Sequence, residues 1–245
     1  MAMVPNLLFV SGGAHWAAID RPLLHRLAPC GRLAYWQYQA EADGEHSLEV
    51  ALVLLHDYLK GLPQPVHLVG HGMGGVLAWY YAAAYPARVR SLALLAVGAN
   101  PAVDWQAHYY HLRQLWPCAQ AVALSQVARM LFAVSGSGFT SVLAEDLMWG
   151  VSLHSLWRRG RMSPPAFAGP IFVGVGGEDI VVAPPQWQRW RQALKPGDRF
   201  WICAEGRHFF HYEHAGAVAH QLAAFWHERD AAIARLPVPA PLAAG

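Results

Sequence analysis

Val66-His67-Leu68-Val69-Gly70-His71-Gly72-Met73-Gly74-Gly75 is the stretch that decides the fold. Residues 66–69 form a short apolar run of buried-strand type. Glycines then fall at 70, 72, 74 and 75, and from 73 to 85 the apolar spacing is helical. A strand that passes through a glycine-rich turn into a helix serves two known chemistries. Glycines at 70, 72 and 75 match the dinucleotide spacing Gly-x-Gly-x-x-Gly, which also needs an acid about 20 residues on, at the end of the next strand. Val97-Gly98-Ala99-Asn100 offers none, and the motif falls on the third strand rather than the first. The second chemistry is the Gly-x-Ser-x-Gly turn, which holds a serine nucleophile on a strained backbone between strand and helix. Its flanking glycines are present, but the place of the serine is taken by Gly72.

Outward from this turn, the chain alternates strand and helix. Leu7 to Val10 reads as a strand ending in Ser11-Gly12-Gly13, and 32–38 as a second. Residues 47–62 have helical spacing, with Ser47 as N-cap and Gly61 near the end, and 91–97 reads as a fourth strand. The rhythm breaks over 100–168, which holds helical pieces, Trp105, Trp116, Trp149 and Trp157, and a Gly/Ser interruption at 135–138. It then resumes with a strand at 170–175, a helix at 184–194, a strand at 199–204 and a helix at 215–228. Alternation of this kind predicts a doubly wound, mostly parallel sheet with helices on both faces. The expected division is a core of 1–99 and 169–228, an inserted helical cap of 100–168 over the carboxyl ends of the strands, and an Ala/Pro-rich tail of 229–245.

Composition excludes several classes. The chain has 245 residues, is 55% hydrophobic and carries a net charge of +2, so it has ample apolar surface for a folded core and no basic footprint for nucleic acid. The three cysteines, Cys30, Cys118 and Cys203, are far apart, which fits a reducing compartment rather than a disulfide framework or a zinc pattern. The apolar stretch 76–86 is too short for a membrane span of about 20 residues. With no basic region before the first strand to suggest a signal peptide, the expectation is a cytoplasmic protein.

Two further segments complete a pattern. Gly176-Gly177-Glu178-Asp179 follows the strand at 170–175, and Gly206-Arg207-His208 follows the strand at 199–204. Glycine turn, acid and histidine in this order resemble an α/β-hydrolase. The resemblance covers residues 5–100 and 169–228, and it implies a sheet without the family's opening strands. It implies Asp179 as the acid and His208 as the histidine of a triad whose nucleophile position is Gly72. It further implies oxyanion donors at the backbone of Met73 and in the Gly12–Gly13 loop, where the usual His-Gly pair is replaced by Ser11-Gly12.

Glycine at position 72 relieves the backbone strain of the turn, but it deletes the oxygen that would form an acyl-enzyme. The first expectation is therefore a catalytically degenerate hydrolase-like protein. It would act as a binding or scaffold subunit for a protein partner, through the cap or the tail, or for an apolar small molecule. The alternative is a hydrolase or lyase in which Asp179 and His208 activate water without a covalent intermediate. Trp105, His108, His111, Trp116 and Trp149 are the candidate pocket residues of the cap, weighed against simple packing of a small lid. His208, His211 and His214 recur every three residues with Glu213 between the last two, but that spacing rotates around a helix. Neither a metal nor a cofactor is expected.

Overall fold

The structure is a computed structural model that describes residues 4–39, 47–134, 136–151 and 166–234, with side chains to residue 228. Six strands, β1 (Leu7–Ser11), β2 (Leu33–Gln37), β3 (Val66–His71), β4 (Val89–Leu95), β5 (Ile171–Gly176) and β6 (Arg199–Cys203), form one sheet in the order β2-β1-β3-β4-β5-β6. Every neighbouring pair is parallel. After β1 the chain moves outward to β2 and then returns to the other side of β1 as β3. The order therefore reverses between β1 and β3, at whose carboxyl ends open α/β sheets form their binding crevice.

The inner strands β1, β3, β4 and β5 are largely buried on both faces and place alternate residues in two cores, while the edge strands β2 and β6 are partly exposed. Leu7 and Phe9 of β1 join Leu23 and Leu27 of α1 (Ala17–Leu27) and Val218, Leu222 and Phe225 of α9 (Ala215–Ala234). Leu8 and Val10 point the other way, into a core with Leu55 of α2 (Leu48–Lys60) and Val76 and Leu77 of α3 (Gly72–Ala84). Side chains that alternate across a pleated strand are what divide one apolar run between two layers. Ser47 caps α2 by accepting a hydrogen bond from Val50 N at 3.2 Å, which satisfies one of the orphan donors of the first turn.

Among the described residues, helices α4 (Trp105–Leu115), α5 (Gln120–Leu131) and α6 (Ser137–Trp149) lie between β4 and β5, and α7 (Pro184–Ala193) and the short α8 (Phe210–Glu213) follow β5 and β6. Trp157 and the tail from residue 235 lie outside the described residues.

Three differences from the sequence reading have physical causes. Helix α1 was not expected, because Pro22 in its interior masks the i, i+4, i+8 register of Ile19, Leu23 and Leu27. The fourth strand spans Val89–Leu95 rather than 91–97, since Ala96 adopts φ 51 and turns the chain out of the sheet. The last helix runs on to Ala234, into the first residues assigned to the tail.

Candidate active site

Gly72 has φ 49, the left-handed conformation that the strand-to-helix turn requires. A Cβ built on Gly72 meets nothing within 4 Å, whereas one on Gly74 would run into the carbonyl oxygen of Val10 and one on Gly70 into the backbone of Gly74. The neighbouring glycines thus let α3 pack directly on β1 and β3. Gly72 stands over open space.

The acid and the histidine come from adjacent loops that are laced together. Gly177 N donates to Cys203 O at 2.7 Å and Glu178 N to Gly206 O at 2.9 Å, so the turns after β5 and β6 share one register. Asp179 Oδ2 accepts from His208 Nδ1 at 2.9 Å, while Oδ1 accepts from Val181 N at 2.7 Å and Val182 N at 3.1 Å. Burial works against the Asp179 carboxylate, but His208 and the two backbone donors outweigh it and hold its pKa below the usual carboxylate range. Burial also opposes charge on His208, yet Asp179, helped by Asp104, lifts its pKa above the ordinary histidine value. His208 lines a small cavity together with Gly12, Gly72 and Met73. Of the two oxyanion candidates in the loop after β1, Gly12 lies at this cavity, against Met73 and Gly74. Gly13 faces a neighbouring groove instead, beside His15 and Trp149.

The cavity holds about 20 Å³, more than the roughly 10–15 Å³ that one ordered water needs. Its other walls are residues that the sequence reading passed over. Asp104 precedes α4, Asp146 lies on α6, Asp20 on α1, and His71 precedes Gly72. Asp146 accepts from His15 Nε2 at 2.7 Å, Trp16 Nε1 at 2.8 Å, Trp105 Nε1 at 3.0 Å and Gln106 Nε2 at 3.0 Å. One carboxylate thereby ties α4 and α6 to the segment after β1 and roofs the cavity.

A second buried acid–histidine pair lies behind the turn. Asp20 Oδ1 sits 3.1 Å from His211 Nε2, and Oδ2 accepts from Ser11 Oγ at 2.8 Å and Tyr35 Oη at 2.9 Å. Burial raises the Asp20 pKa to about 7 and lowers that of His211 to about 3, so the pair is held towards its uncharged form below about pH 7. His71 donates from Nε2 to His208 O at 2.9 Å, and its ring lies 4.0 Å from that of His211. Burial, with His211 and His208 alongside, holds the His71 imidazole well below the ordinary histidine range.

Of the cap residues singled out from sequence, only Trp105 reaches the cavity. His108 is half-buried, and His111 and Trp116 are exposed. On a helix that advances about 100° per residue, the buried stripe through Trp105 and Tyr109 leaves position 108 on a flank and position 111 on the outer face. Trp149 lies in the outer groove. The histidines at 208, 211 and 214 do not converge, as His208 turns to Asp179 and His211 to Asp20. Among the described residues no group of three or more His, Cys, Asp or Glu is placed to hold a metal ion. No described helix is long and apolar enough to cross a membrane.

A parallel six-stranded sheet with a glycine turn after its third strand is the architecture of the α/β-hydrolase fold, and the chain has that fold. The family model for the alpha/beta hydrolase fold matches residues 59–120, from the end of α2 through β4 and α4 to the first residue of α5. The chain is 40% identical over 211 residues to an uncharacterized protein of Synechocystis sp., with 84% of each chain covered. It is 36% identical over 228 residues to an uncharacterized protein of Nostoc sp., with 91% of each covered. Among solved structures it is similar in fold to naproxen esterase (carboxylesterase NP) from Bacillus subtilis. There the TM-score is 0.68 at 14% identity, over 92% of this chain and 85% of that one.

Proposed function

We propose that this protein hydrolyses a small ester-like substrate without a covalent enzyme intermediate, by direct attack of a water held over Gly72, with His208, oriented by Asp179, taking part in the proton transfers. The observation that carries this reading is the position of His208. Oriented by Asp179 at 2.9 Å, it lines a water-sized cavity whose floor is the vacant side-chain position of Gly72. Direct attack by water replaces the two-step acyl-enzyme route, and the backbone N–H groups of Met73 and Gly12 are candidates to stabilise the resulting oxyanion. An organic substrate exceeds about 20 Å³, so it requires the roof built on Asp146 to open. The test is hydrolysis of p-nitrophenyl acetate, with intact-protein mass spectrometry during turnover. Expected are turnover that depends on His208 and Asp179 and no acetylated protein. An accumulating acetyl adduct, or a rate untouched by His208→Ala, refutes the reading.

A second reading, a binding or scaffold subunit, draws support from the outer face of α4–α6. Tyr110, Leu115 and Met148 there are 57%, 71% and 65% exposed, more than packing of the cap requires. It predicts no ester turnover, together with a protein that co-purifies from native extract and is lost on Leu115→Glu.

A further inference from the structure

Asp104 stands where the chain, having left β4, enters α4, and it is the N-cap of that helix. Its Oδ1 accepts from Trp105 N at 2.5 Å, and its side chain lines the same cavity as Gly72 and His208. Among the described residues no direct ion pair joins Asp104 to His208. Asp104 nevertheless acts on that imidazole electrostatically. Two carboxylates therefore act on His208, Asp179 bonded to its Nδ1 and Asp104 on the wall of the same cavity.

This arrangement differs from a triad in what it does to the histidine. One carboxylate orients an imidazole and leaves it free to accept a proton. A second carboxylate, facing the reacting space, favours the imidazolium. The other titratable groups around the cavity do not cancel this effect. Asp20 and His71 are held towards their neutral forms, and Asp146 is engaged by four donors from His15, Trp16, Trp105 and Gln106.

We propose that Asp104 is the general base of this site and His208 its general acid, the reverse of the role a histidine has beside a serine nucleophile. The proposal rests on the hydrolytic reading given above. Asp104 takes one proton from the cavity water as its oxygen bonds to the ester carbonyl carbon, and the carbonyl electron pair moves onto oxygen. The tetrahedral intermediate collapses by breaking the bond to the alkoxy oxygen, which receives the proton of the His208 imidazolium. Asp104 is left protonated and His208 neutral. Transfer of the proton from Asp104 to His208 through water resets the site, with one water consumed and acid and alcohol released.

Protonation equilibria favour this assignment. Burial, then the neighbouring Asp146, raises the Asp104 pKa to about 6, while that of His208 lies above the ordinary histidine value. Between about pH 6 and the raised pKa of His208 the prevailing pair is thus carboxylate at 104 and imidazolium at 208. The opposite assignment would need a neutral histidine beside a protonated acid, a minority state at every pH.

The experiment compares p-nitrophenyl acetate with phenyl acetate, whose leaving group needs a proton far more. Asp104→Asn keeps an oxygen to cap α4 and removes a carboxylate that burial disfavours, so its melting temperature is expected to be no lower than that of the wild type. Its kcat/KM is expected to fall by about 10²-fold on both esters, because activation of water is common to both. The wild-type rate falls as pH drops through about 6, and this limb is absent from the residual activity of Asp104→Asn. His208→Ala is expected to lose more on phenyl acetate than on p-nitrophenyl acetate. A change of less than about two-fold in Asp104→Asn, far below the effect of removing a general base, overturns the proposal. A loss confined to phenyl acetate, or an acidic limb that persists in the variant, also overturns it. If instead His208→Ala hydrolyses both esters at the wild-type rate, the hydrolytic reading itself falls, whatever Asp104 does. A wild type that turns over neither ester removes both.

Discussion

Trp16 Nε1 donates to Asp146 Oδ1 at 2.8 Å, a bond between the end of the segment after β1 and a helix 130 residues further along the chain. With His15, Trp105 and Gln106 on the same carboxylate, it fixes the roof of the cavity to its floor. Asp146→Ala leaves several buried donors without an acceptor, each at a cost of roughly 1–3 kcal/mol if water cannot replace it. Partial hydration of the gap brings the expected loss to about 3 kcal/mol, read as a lowered denaturation midpoint. An unchanged midpoint would mean that the four contacts do not hold the cap.

Gly72→Ser is expected to be tolerated. Its Cβ meets nothing within 4 Å, so the cost is the backbone conformation at φ 49, about 1 kcal/mol in a thermal melt. The new hydroxyl enters the cavity beside His208, and a burst of p-nitrophenol from an activated ester is the expected gain. Stability equal to or above the wild type would contradict the strain, and the absence of a burst would contradict the geometry of the turn.

Gly74→Ala presents the opposite case, although it adds only one methyl. That methyl meets the Val10 carbonyl and, at 3.0 Å, Gly12 N and Ser11 Cα, all of which are backbone atoms that cannot rotate away. The expected destabilisation is about 3 kcal/mol, at the upper end for overpacking, by denaturant titration. A loss no larger than that of Gly72→Ser would show that α3 shifts freely on β1.

Asp20 gives the protein a pH dependence of known sign. Its folded pKa of about 7 lies above the unfolded value, so the folded state binds the proton more tightly. Its contribution to stability is complete below pH about 4 and is lost as pH rises to about 7. His211, lowered to about 3, contributes in the opposite sense, losing stability as pH falls below about 6.5. Asp20→Asn removes the first dependence and keeps the second. Melting curves from pH 4 to 8 should show the variant gaining on the wild type up to about pH 7 and running parallel beyond it. A constant difference across that range would mean that Asp20 is charged throughout.

The sequence determined the parts of this protein that depend on local chemistry. Glycines at 70, 72 and 74 fix a strand-to-helix turn because only residues without a Cβ allow that backbone and that approach, and this constraint is written within five residues. Asp179 and His208 were legible for a similar reason, since each follows a strand through a short glycine turn. Tertiary structure alone decided the environment around them. Asp20, Asp104 and Asp146 carry no motif in sequence that would single them out. Their chemistry comes from burial and from partners 131 and 191 residues away in the cases of His15 with Asp146 and Asp20 with His211. The same holds for the cap, where helical spacing was visible but the face turned to the cavity was not. Trp105 points inward while His111 and Trp116 face solvent, because that direction is set by how three helices pack on the sheet, an outcome that no short stretch of the chain encodes.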